Sequence, residues 1–91
     1  MILAINGGFF SIKFALFKID NSLTQLFNGE IENIGSEKAK LNSTNSNSQQ
    51  KESISIQAVN HNEAAENLIE WLKKQEGFNA SKRLVTVLYM G

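Results

Sequence analysis

The chain is 91 residues long, with nine basic and nine acidic side chains, no cysteine and no proline. That length makes one small domain with a modest core. The zero formal net charge points away from nucleic-acid and anionic-membrane partners, and the lack of cysteine excludes a disulfide frame or a thiolate metal site. No apolar stretch is long enough to cross a bilayer. The N-terminus is apolar but lacks a basic flank and soon alternates with polar residues, so it is expected to be a strand and not a signal peptide. A cytoplasmic location fits these features.

Ile2–Asn6 is an apolar run ending in Asn6-Gly7-Gly8, expected to be a buried, central first strand. From Phe10 to Ile19 apolar and polar residues alternate, which predicts a second strand joined to the first by a glycine turn. Asp20-Asn21-Ser22 supplies the next turn, because these side chains bond locally to the backbone. Leu23–Ile34 is expected to be a third strand. Neither of its faces is purely apolar, which suggests an edge strand with a bulge near Gly29. Residues 36–53 are rich in Asn, Ser and Gln and are expected to form a mobile polar loop, since such residues bury too little apolar area to offset ordering entropy.

Ile54, Ile56 and Ala58 alternate with polar residues and predict a short fourth strand. Asn60, three residues before Glu63, predicts a helix cap. The helix is expected to run to about Gln75, with Ala65, Leu68, Ile69 and Leu72 as its apolar stripe and Trp71 packed beside it. Glu70 can pair with Lys73 or Lys74. Gly77 is the expected C-cap, and Arg83–Met90 the last strand, entered by a parallel crossover. The fold class is α/β with a mixed sheet: an antiparallel three-strand meander, a polar loop, then strand–helix–strand.

The glycine turn carries the strongest hint of chemistry. Glycines let backbone amides approach an anion closely, Lys13 offers positive charge to phosphate oxygens, and Ser11 lies on the same strand face as Lys13. Asn6 could hold a Mg²⁺-bound water. The same residues also compose an ordinary hairpin turn with solvated polar neighbours. His61, the single histidine, has no second ligand or triad partner nearby in sequence and is expected to be a surface or capping residue.

The run Ile5-Asn6-Gly7-Gly8-Phe9-Phe10-Ser11-Ile12-Lys13-Phe14 closely resembles the opening signature of the acetate kinases, N-[SG]-G-S-S-S-x-K-F, with matches at Asn6, Gly8, Ser11, Lys13 and Phe14. The resemblance continues through FNGEIENIG and NHNEAAENLIEWL and covers most of residues 1–78. It implies part of an actin-like ATPase (ribonuclease H-like) domain, and transfer of the ATP γ-phosphoryl group to acetate or another short carboxylate. It implies Mg²⁺ and ATP as cofactors, with Asn6 helping to hold the metal, Lys13 contacting ATP, and Ser11 and Gly8 lining the phosphate site. It also implies that intact members form homodimers.

The departures bear on activity. Two serines of the signature are Phe9 and Phe10 here, and a phenyl ring gives a phosphate no hydroxyl. The family's catalytic aspartate, its transition-state histidine and arginine, and its adenosine pocket lie in parts beyond these 91 residues, so the chain is expected to be a single partial domain, inactive alone. A small non-catalytic binding module, or a relic without function, is the alternative. The family usually continues after the helix as Gly-His-Arg-Val-Val-His-Gly. With one choice of codons Val85–Gly91 back-translates as GTC ACC GTG TTG TAC ATG GG, and starting one base earlier, on a Leu84 codon that ends in G, gives that heptapeptide. Residues 82–91 are therefore expected to be an out-of-frame tail, with the frame change near Ser81–Leu84.

Overall fold

The computed structural model describes residues 1–75 and, as a strand, residues 85–90. The elements are β1 (Ile2–Gly7), β2 (Ile12–Ile19), β3 (Leu23–Glu32), β4 (Lys40–Asn45), β5 (Lys51–Ser55), α1 (His61–Lys73) and β6 (Val85–Met90). They build a six-stranded sheet in the order β5-β4-β3-β2-β1-β6. Each step from β1 to β5 is antiparallel, and β6 lies parallel to β1. The mixed sheet and the central first strand agree with the expectation. The step from β5 through α1 to β6 is parallel too, but it joins opposite edges of the sheet. The expected C-cap Gly77 and the expected frame change near Ser81–Leu84 lie outside the described residues.

Residues 36–53 depart from the expectation. They contain β4 and most of β5, so the meander has five strands and the expected mobile loop is a hairpin. Composition hid an alternation. Leu41 and Ser43 point into the core, while Asn42 and Thr44 sit on the outer face of the sheet. The hairpin tip is held by short-range polar bonds of the kind that make Asn and Ser turn formers. Asn45 Oδ1 accepts from the amides of Asn47 (3.0 Å) and Ser48 (3.1 Å). Gln49 adopts the left-handed conformation at φ 62°.

The fourth strand expected at Ile54–Ala58 is also displaced. β5 ends at Ser55, and residues 56–59 form a connection anchored by the Ile56 amide on Ala39 O (3.0 Å) and the Gly35 amide on Ala58 O (2.8 Å).

β3 lies between β2 and β4 and is not an edge. The bulge is at Leu26, where pairing slips from Leu16–Phe27 to Phe17–Gln25, and not at Gly29. Gly29 instead marks a close approach. A Cβ there would collide with the Asn42 carbonyl and stand 2.7 Å from the Phe14 ring. Asn33, left-handed at φ 59°, breaks the alternation after β3 and turns Ile34 into the core, where it is 4% exposed.

The core lies between α1 and one sheet face. Leu3, Ile5, Ile12, Phe14, Leu16, Phe27, Ile31 and Leu41 meet Ala64, Leu68, Trp71 and Leu72. Asn60 caps the helix by accepting from the Glu63 amide at 2.9 Å, and Lys73 pairs with Glu70 at 3.7 Å. Trp71 stands edge-on to Phe14 and Phe27, with ring centroids 6.0 and 5.5 Å apart. Its Nε1 donates to Glu52 Oε1 at 2.9 Å.

Candidate phosphate-binding site

Strand alternation and register build the site on the sheet face opposite the helix. Ile5 and Phe14 are register partners on the core side, so the next pair, Asn6 and Lys13, points outward. The row continues across the sheet as Lys13–Glu30, Glu30–Asn42 and Asn42–Ser53. Ser53 Oγ donates to Asn42 Oδ1 at 2.6 Å. A shallow hollow of about 200 Å³ is lined by Asn6, Lys13 and the adjoining Ala4 and Ala15. A larger trough of about 720 Å³ runs over β2–β5, past Lys13, Asn28, Glu30, Asn42, Thr44 and Lys51. Lys13 lies at the border of both. Its side chain is exposed and reaches no carboxylate within ion-pair distance among the described residues.

The tip of the β1–β2 hairpin is a separate cluster. Ser11 precedes β2 and lines neither depression. The Gly8 amide donates to Ser11 O at 2.8 Å inside the turn. A Cβ on Gly8 would stand 2.8 Å from Ser11 Oγ, so the serine hydroxyl occupies the space a side chain would need. Phe9 and Phe10 are exposed at the tip, 93% and 73%. The structure therefore brings Asn6 and Lys13 together, and Gly8 and Ser11 together, but does not gather all of them around one hollow.

Sequence reasoning expected His61 to be a surface or capping residue, and the structure instead joins its ring to this tip. Its Nε2 lies 2.7 Å from Gly8 O. A carbonyl only accepts, so Nε2 carries the proton. The contact spans 53 positions of the sequence, and no local pattern signals it.

The residues present fit a metal only in part. Mg²⁺ is usually held by one or two carboxylates plus substrate phosphates and waters. Asn6 is one neutral oxygen ligand beside a lysine, and Glu30, across from Lys13, is the nearest carboxylate by register. Such a set could orient a metal-bound water only once a nucleotide supplied the phosphates.

The model of the acetokinase family matches residues 1–89. Among solved structures, the chain is similar to an acetate kinase from Porphyromonas gingivalis, at 26% identity and TM-score 0.73 over 81% of this chain. It is also similar to a propionate kinase from Francisella tularensis subsp. tularensis, at 27% identity and TM-score 0.66 over 80% of this chain. The chain spans 18% of the length of each of these kinases. No curated protein sequence matches it.

Proposed function

Because the chain belongs to the acetokinase family, we propose that it retains one wall of a phosphate-binding site and does not transfer a phosphoryl group by itself. The observation that carries this reading is the pairing of Asn6 with Lys13 on the open sheet face, at the positions where the family signature has its asparagine and lysine. Lys13 supplies charge to phosphate oxygens, Ser11 offers a hydroxyl and Asn6 an oxygen for a metal-bound water. The ligand class is a nucleoside triphosphate with Mg²⁺, and the family reaction is ATP plus a short carboxylate to ADP and an acyl phosphate.

Phosphoryl transfer depends on positioning and on neutralising charge around the whole transferred group. One exposed lysine on an open face does this from one side only. Phe9 and Phe10, where the signature has serines, weaken the site further. A hydrogen bond to a charged group contributes about 1.5–3 kcal/mol, and here such bonds have no donors in the side chains.

The test is twofold. Acetyl phosphate formed from ATP and acetate, trapped as the hydroxamate, is expected not to rise above background with the purified chain. Titration with Mg²⁺-ATP is expected to shift the NMR signals of Asn6 and Lys13. Clear turnover overturns the first statement, and unmoved Asn6 and Lys13 signals overturn the second.

A second reading, a small non-catalytic binding module, is favoured by the trough over β2–β5, which at about 720 Å³ is larger than a phosphate needs. Shifts confined to Asn28, Asn42 and Thr44 on ligand screening would select it. The origin of residues 82–91 in a neighbouring frame belongs to the same proposal. Strand pairing of 85–90 uses backbone groups that any sequence has, so the gene's nucleotides from Phe78 onward decide it.

A further inference from the structure

We infer that His61 is a positioning residue for the glycine turn, holding the Gly8 carbonyl so that backbone amides at the hairpin tip face outward to an anion. The inference rests on the phosphate-binding reading above and adds to it the group that orients the turn.

The C=O and N–H of a trans peptide point in opposite directions. His61 Nε2 holds Gly8 O at 2.7 Å, and His61 begins α1, which covers the core face. The N–H of Phe9, in the same planar unit, is thereby turned away from the helix. A second tether acts two residues on. The Ile34 amide donates to Phe10 O at 2.9 Å, which turns the Ser11 N–H the opposite way from Ile34. Among the described residues neither the Phe9 nor the Ser11 amide has a partner.

Backbone amides left free in a turn and aimed at one side form an anion-binding concavity. The Gly8 amide is not among them, because it is used within the turn. Replacing serine side chains by Phe9 and Phe10 removes hydroxyls but leaves these backbone donors in place.

A helix cap or a surface histidine would not need its ring tied to a turn 53 positions away. The ring also has no competing carboxylate at bonding distance among the described residues. The donor is thus committed to one carbonyl, and the geometry of the tip follows from that bond together with the Ile34 tether.

The experiment uses the isotope-labelled full chain and inorganic phosphate, reading the Phe9 and Ser11 amide signals by NMR. His61→Leu and His61→Asn remove the reach of the donor, whereas His61→Gln keeps an N–H at a similar distance. Phosphate is expected to move both amides in the parent chain. The Leu and Asn variants are expected to bind it roughly three- to tenfold more weakly, the effect of about one net hydrogen bond, and Gln to restore most of the affinity. Parent-like affinity in both Leu and Asn variants overturns the inference.

If the parent chain itself binds no phosphate, the anion reading fails separately. The ¹⁵N relaxation of residues 8–11 then decides the role of His61. Loss of tip order in Leu and Asn with recovery in Gln supports it, and unchanged order refutes it.

Discussion

Gly29 shows how one residue can carry a packing decision. Its φ is not in the left-handed region, so conformational freedom is not the reason for glycine there. The β4 backbone at Asn42 and the Phe14 ring close over its Cα. Gly29→Ala is expected to destabilise the fold by about 1–3 kcal/mol, the usual effect of overpacking. Gly7→Ala, where a Cβ meets nothing within 4 Å, should cost much less. Urea unfolding of the two variants makes the comparison.

Asp20 gives the pH-dependent counterpart. Its carboxyl is held below the ordinary aspartate value by the Ser22 amide, which donates to Oδ1 at 3.3 Å, and by Lys18 Nζ, 3.7 Å away. A lowered folded-state pKa means the charged form is favoured by folding. Its contribution is therefore full above the unfolded aspartate pKa and is lost as pH falls through the folded value. The stability gap between the parent chain and Asp20→Asn is expected to be widest near neutrality and to close on acidification, measured by thermal unfolding against pH. A gap that grows in acid contradicts this account.

At the scale of elements, the seam between α1 and the β4–β5 hairpin depends on a polar bond inside an aromatic cluster. Trp71 is 6% exposed, and its indole N–H has Glu52 as its acceptor. Glu52→Leu leaves that donor unpaired and is expected to cost about 1–3 kcal/mol. Glu52→Gln keeps an acceptor and should cost less. Denaturant midpoints and Trp71 fluorescence check both.

The same seam explains why the polar stretch is ordered. Sequence composition pointed to a solvated loop, because Asn, Ser and Gln give little apolar area. Folding of this hairpin draws instead on an existing sheet edge at β3, on Leu41 in the core and on the Glu52–Trp71 bond. None of these is visible within residues 36–53 alone. The helix was legible because its signals are local: a capping Asn60, an apolar stripe at helical spacing, and a charged outer face.

At the scale of the whole molecule, the described residues cover one sheet face and leave the other open. Leu68 and Leu72 are fully buried beneath the helix, whereas Ile2, Ala4, Ala15 and Phe17 on the outer face are half-buried, beside the polar row from Asn6 to Ser53. Among the described residues a single face is covered, so that part of the fold depends on few interior side chains. Leu68→Ala is expected to cost about 2–5 kcal/mol, against a total stability on the order of 5–15 kcal/mol for an ordinary domain. Circular dichroism melts should show a midpoint lowered by roughly ten degrees or more, since 1 kcal/mol shifts it by about 4–8 °C at this size. A melting temperature within a few degrees of the parent would mean that the helix contributes less than its burial indicates.

The amino-acid sequence alone determined the strands β1–β3, the helix, the mixed sheet and the family, because periodicity, caps and the signature around Asn6 and Lys13 are short-range patterns. Only the tertiary structure decided that residues 40–55 pair as a hairpin, that Gly29 lies under Phe14, and that Asn6 and Lys13 share a hollow while Gly8 and Ser11 do not. It also decided that His61 reaches Gly8. Each of these depends on register or on contact between distant residues, and a linear pattern carries no record of which backbone will arrive opposite which.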